Sequence, residues 1–249
     1  MPSLPRTLDL SNVREHLVKA GSLRRFASTI GTALNTQSCL LDLRQSEANL
    51  EALREITINN FLGNQVAPSE QSREVVETAL LEGAASLYVR ATHSGSKNSS
   101  RGSIQVKDYL SESEKKDHET IVAVRNEAVA HVYQNKVVAN INRHRGAVLL
   151  VEHEGGWRPG VAASRVTFDR HLLGCLTRQL PVATRIISSK FDELLRQLAE
   201  LAGREESHPD FQTAIKGSEF SLLDFFGSEE KALKAAAAGL NAWTMTSRD

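Results

Sequence analysis

Apolar residues recur at helical intervals along most of the chain, and small polar residues mark where the helices begin. Val13, Leu17, Leu23, Phe26, Ala27 and Ile30, behind Ser11 as an N-cap, predict a first amphipathic helix over Leu10 to Ile30. Leu40, Leu43, Leu50, Leu53 and Ile56 predict a second, ending near Leu62. Pro68-Ser69 opens a third over Glu70 to His93, with Val76, Leu80, Gly83 and Leu87 as its buried stripe. Ser111 followed by Glu114 has the spacing of a capping box, so a fourth helix is expected from about 112 to 135. The character then changes: Val148 to Val151 is a short apolar run, and Gly155-Gly156 leads back into Trp157 to Val166. One β-hairpin near 147–162 is predicted there.

From Thr167 the helical spacing resumes and reaches Gly203, with Pro181 either kinking one long helix or separating two. Ser207-His208-Pro209 breaks the pattern, and Glu229 to Leu240 is an Ala-rich helix. Seven of the ten residues between Ser94 and Ser103 are Gly or Ser, too little apolar surface to order a segment, which predicts a mobile loop. The expected organisation is a helical domain over 1–205 and an appended helical tail over 206–249. The fold class is mainly α, an antiparallel bundle with one short hairpin.

Composition narrows the function. Of 249 residues 41% are hydrophobic, enough for a core without metals or disulfides, and only 5% are aromatic, which disfavours a sandwich or barrel. Thirty basic residues balance thirty acidic ones, so any contact with nucleic acid needs a local patch. No apolar run approaches the roughly 20 residues of a membrane span. The opening Met1-Pro2-Ser3-Leu4-Pro5-Arg6 lacks a basic region followed by an apolar one, and Cys39 and Cys175 have no metal-like spacing. These features predict a cytoplasmic protein with two reduced thiols, no metal or cofactor, and no membrane partner.

Most catalytic signatures are excluded. Gly95-Ser96-Lys97 lacks the spacing of a phosphate loop, and no Gly-x-Ser-x-Gly elbow occurs. His118-Glu119 begins like a zinc-protease helix, but Val122 stands where the second imidazole belongs. Glu152-His153-Glu154 alternates faces on a strand, which separates the imidazole from both carboxylates.

One constellation remains, Arg125-Asn126-Glu127-Ala128-Val129-Ala130-His131. On a uniform helix His118, Ile121, Val122, Arg125, Ala128, Val129 and Val132 share a stripe, so a guanidinium occupies an otherwise apolar face. Such a charge requires a carboxylate, carbonyls or a cleft open to an anion. Two readings of Arg125 stand: a structural pair with Glu77 or Glu82 of the preceding helix, or an anion site. His131 falls about 120° round the helix and roughly 9 Å along it from Arg125. It shares a face with Glu127, so a surface ion pair is the plain reading of it.

The Arg-Asn-x-x-x-x-His spacing of Arg125, Asn126 and His131, with Ala130 before the histidine, resembles the motif of HEPN domains. The likeness is greatest to their abortive-infection type U branch. The resemblance covers about residues 112–135 sharply and the surrounding helices loosely. It implies metal-independent RNA cleavage, in a defence or toxin effector, with Arg125 and His131 as the catalytic pair and Asn126 as their polar companion. It also implies a homodimer whose sites face each other across a cleft that includes the 112–135 helix, and an antitoxin or other protein partner. Lys136, Arg143, His144 and Arg145 would supply a positive rim for RNA. The alternative from another class is a non-catalytic HEPN-like dimeric helical module that binds a nucleotide, RNA or a protein.

Overall fold

The computed structural model describes residues 4–61, 69–93, 104–129, 137–139, 141–142, 144–153, 156–166 and 168–237. Over these residues the chain is mainly helical, with α1 (Leu10–Ala20), α2 (Arg24–Phe61), α3 (Glu70–Thr92), α4 (Glu112–Val124), α5 (Arg170–Glu205), α6 (Pro209–Lys216), α7 (Leu222–Phe226) and α8 (Glu229–Ala237). Two small antiparallel sheets pair β1 (Val137–Val138) with β2 (Ile141–Asn142), and β3 (His144–His153) with β4 (Gly156–Arg165). The Gly/Ser segment at 94–103 lies outside the described residues.

The chain divides into two compact units, one of Met1–Leu34 with Glu193–Asp249 and one of Asn35–Asp192. In the first, the helix expected over Leu10 to Ile30 is two helices. Asp9 rather than Ser11 caps α1, its carboxylate accepting from the Ser11 N–H. Gly21, in the left-handed region at φ 68°, closes α1: its N–H and that of Ser22 return to the Val18 and Leu17 carbonyls. The same unit joins the chain's beginning to its later residues. The Asp9 N–H donates to the Ser218 carbonyl at 2.7 Å, the Phe220 N–H to the Thr7 carbonyl at 3.0 Å, and the Phe26 and Phe211 rings stand 5.7 Å apart. Residues 209–237 therefore belong to the same packed unit as α1.

The second unit holds the larger core, built on Leu43 and Leu53 of α2, Tyr88 of α3, Ile121 of α4, and Leu172, Leu176 and Ile187 of α5. Two polar contacts tie α2 to α3. The Arg90 guanidinium donates to both oxygens of the buried Asp42 carboxylate, and Ser46 Oγ donates to the Ala84 carbonyl at 2.8 Å. The second helix does not begin at Leu40. It starts at Arg24 and passes through Thr36 and Cys39, which the core buries.

In α3 the fully buried residues are Leu81, Ala84, Ala85, Tyr88, Val89 and Ala91; of the expected stripe, Leu80 packs half-buried against the same core, while Val76 is exposed. Polar and apolar residues are spread almost evenly around this helix, so periodicity alone does not select its inner side. Asp169 opens α5 by accepting from the His171 and Leu172 N–H groups, and one helix continues through Pro181. Cys39 and Cys175 are both free and buried.

The hairpin is longer than expected, with His144 opposite Arg165 at one end and His153 opposite Gly156 at the other. At α4 the capping box forms as its spacing predicts. Ser111 Oγ accepts from the Glu114 N–H, and the Glu114 carboxylate accepts from the Ser111 N–H at 2.7 Å. Ser111→Ala removes half of this exchange and should lower stability by about 1 kcal/mol in urea unfolding followed by circular dichroism, whereas Ser111→Asp should retain most of it.

Candidate functional site

Two polar contacts from adjacent residues hold α4 in the second unit. Asp117 takes the Arg178 guanidinium of α5 in a two-pronged ion pair, with Nε to Oδ2 at 2.6 Å and Nη2 to Oδ1 at 2.9 Å. His118, buried on the other side, shares a 2.8 Å hydrogen bond between its Nδ1 and the Tyr88 hydroxyl of α3. One residue is about 100° of helix rotation, so these contacts fix which way every α4 side chain points. His118, Ile121 and Val124 are buried, while Val122 is half-buried against the same core. The apolar stripe of α4 is thus covered within the chain.

Electrostatics follow from this packing. Burial first, and then the neighbouring His93 and Lys107, bring the His118 imidazole down to about 4 from an ordinary 6.5. The Tyr88 hydroxyl is pushed up by burial and stays protonated. At neutral pH the pair is a hydrogen bond between uncharged groups. On the other side, Arg178 holds the Asp117 carboxyl below the usual carboxylate range. Cys175 Sγ donates to Asp117 Oδ1 at 3.3 Å and lies 3.8 Å from His171 Nε2. Burial and the adjacent carboxylate push this thiol up to about 12. A cysteine, a histidine and an aspartate thus meet here, but the thiol stays protonated and enclosed and is no nucleophile.

Arg125 lies seven residues beyond His118, two turns along the same face. There α4 stops being α-helical. Residues Arg125–Val129 form one π-helical turn that lies against α3. The helix expected to reach 135 therefore changes geometry at Arg125, and wheel positions counted at 100° per residue do not hold beyond it. Arg125 is half-buried. Its Nη1 donates to the Asn126 Oδ1 at 2.9 Å, and among the described residues it makes no ion pair. Glu77, one of the two carboxylates considered for it, pairs with Arg73 of its own helix at 3.6 Å.

Of the other residues singled out in the sequence, His131, Lys136 and Arg143 lie outside the described residues. Arg145 takes a strand position in β3, opposite Ser164. Sequence reasoning missed the Tyr88–His118 and Asp117–Arg178 pairs. The one available signal was a histidine heading the apolar stripe of α4. Among the described residues, no cluster of three or more His, Cys, Asp or Glu is arranged to hold a metal, and no helix is long and apolar enough to cross a membrane. No known family, curated protein or solved structure matches this chain.

The His118 shift has a sign. The folded chain keeps this imidazole neutral between about pH 4 and 6.5, where the unfolded chain takes up a proton. Its contribution to stability is complete above the unfolded value and declines as pH falls towards 4, by on the order of 2–3 kcal/mol. His118→Asn, which has nothing to titrate there, should be less stable at pH 7 and show a correspondingly shallower loss between pH 6.5 and 4. Urea unfolding of both chains across that range checks this.

Proposed function

We propose that this chain binds RNA through Arg125 and cleaves it without a metal, as the resemblance of Arg125-Asn126 and His131 to the HEPN motif implies. The observation that supports this reading is the partner of Arg125: a half-buried guanidinium bonded to a neutral amide, with no carboxylate among the described residues to neutralise it. A guanidinium presents five N–H donors in a planar fork, and the bond to Asn126 uses one. The others suit a phosphodiester, whose two non-bridging oxygens match that fork.

In the proposed reaction the ribose 2′-oxygen attacks the adjacent phosphorus. Its proton leaves to a base, the bond from phosphorus to the 5′-oxygen breaks, and that oxygen takes up a proton. The products are a 2′,3′-cyclic phosphate and a free 5′-hydroxyl. Arg125 stabilises the charge that grows on the phosphoryl oxygens, and Asn126 orients the guanidinium through its amide oxygen. His131 enters on the sequence motif. An imidazole titrates near neutral pH and so suits either proton transfer.

Purified protein should therefore cut RNA in the presence of EDTA and leave cyclic phosphate ends. His131→Ala should slow cleavage by about two to four orders of magnitude. Arg125→Ala should abolish it and also weaken RNA binding. Binding without cleavage by the unaltered chain would instead support the non-catalytic module. Cleavage equally fast in His131→Ala would remove that residue from the mechanism.

A further inference from the structure

The first unit carries an aromatic ridge on its surface. On α7, at about 100° of helix per residue, Leu222 turns inward and is buried, while Leu223, Asp224 and Phe225 take the outward half of the turn, with Asp224 placed between the two apolar residues. Phe225 is 56% exposed and Leu223 47%. The Phe225 ring neighbours two others, that of Phe220 at 5.3 Å and that of Phe226 at 5.0 Å and nearly edge-on. Phe220 is held from the chain's beginning: its N–H donates to the Thr7 carbonyl at 3.0 Å, and its carbonyl accepts from Thr7 Oγ1 at 2.6 Å. Three phenylalanines are thus fixed against one another with one ring more than half open to water. A pre-positioned apolar anchor of this kind is what protein interfaces bury.

We propose that this ridge binds a basic amphipathic segment of another protein, with apolar side chains against Leu223 and Phe225 and lysines or arginines over the neighbouring acids. Charge selects the partner. Residues 217–230 carry four acids, Glu219, Asp224, Glu229 and Glu230, and no base. Arg6 meets Glu219 at 3.3 Å, whereas Asp224, Glu229 and Glu230 are exposed, and among the described residues no base pairs with them. Glu229 and Glu230 open α8, which packs against α7, so their carboxylates add to that of Asp224 beside the ridge. An RNA strand or an anionic membrane is repelled by such a border. A second copy of the chain would set the same acids against each other across a two-fold axis. Residues 238–249 hold one base and one acid and bring no net charge to match the border. A cationic segment gains at both features, because the open face of Phe225 also accepts an ammonium or guanidinium in a cation–π contact. A helix presents apolar and basic residues on adjoining faces in the way that such a surface needs. The ridge uses none of the residues assigned to RNA cleavage, and it neither needs nor predicts that activity.

Fluorescence anisotropy of a labelled amphipathic helical peptide made of leucine and lysine, titrated with the full chain, tests the proposal. The unaltered protein should bind it at micromolar concentration, more weakly as salt rises, and should not bind the leucine–glutamate counterpart. Phe225→Ala should lower the affinity about tenfold with an unchanged helical circular dichroism spectrum. Asp224→Asn combined with Glu229→Gln and Glu230→Gln should lower it too and flatten its salt dependence. Val148→Asp, at a residue 85% exposed on β3 of the second unit, should leave the affinity unchanged. No binding by the unaltered chain, or equal binding by Phe225→Ala, would overturn the proposal. So would a greater loss from Val148→Asp than from Phe225→Ala. Two further results would give the ridge to another occupant and so overturn the proposal as well. One is a dimer in sedimentation equilibrium that Phe225→Ala reduces to a single chain. The other is a red shift of Trp243 emission caused by Phe225→Ala, read with the chain's other tryptophan removed by Trp157→Phe, which would assign the ridge to residues 238–249.

Discussion

The rotation of α4 about its own axis is the constraint on which the candidate site depends. Asp117 and His118 are neighbours in sequence and point to different partners, Arg178 on α5 and Tyr88 on α3. A turn of the helix by one residue would place Asp117 among the side chains around Tyr88 and strand His118 away from its hydroxyl. Either loss would leave a buried polar group without a partner, at a cost of about 1–3 kcal/mol. The register of α4 is therefore fixed by polar satisfaction as much as by Ile121 and Val124. Two turns on, the same rotation brings Arg125 onto the inner face, against α3.

Three arginines of the second unit meet carboxylates. Arg90 meets Asp42 through two hydrogen bonds, Arg178 meets Asp117 in the same two-pronged way, and Arg73 pairs with Glu77. Arg125 meets the amide of Asn126. An amide orients a guanidinium without cancelling its charge. The π-helical turn at Arg125–Val129 adds to this, because such turns widen the backbone and recur at functional sites.

Much of this was legible in the chain. Ser111 and Glu114 announced the start of α4, Ser69 that of α3, and Val148 to Val151 with the following glycines announced a hairpin, because each of these signals is local. The places where sequence reading fell short are those that tertiary contacts decide. Gly21 ends a helix inside what reads as a continuous pattern, and the polar stretch through Thr36 continues one because the core covers it. The inner face of α3 is chosen by Tyr88 reaching His118, a contact between residues thirty apart that no periodicity records. The change of geometry at Arg125 is equally silent, since Arg-Asn-Glu-Ala-Val is compatible with an ordinary helix. Arg125 itself was found because a charge on an apolar stripe is a local anomaly, whereas its partner was not.

The central claim is that the Arg125 guanidinium is an open phosphate site, and the salt dependence of binding reads it most directly. The affinity of an RNA strand methylated at every 2′-oxygen, and so proof against cleavage, would be measured for the unaltered chain and for Arg125→Gln between about 50 and 200 mM salt. The account predicts weaker binding by Arg125→Gln on any base sequence, with a slope of log affinity against log salt shallower by about one phosphate contact. Equal affinities and equal slopes for the two chains would contradict it.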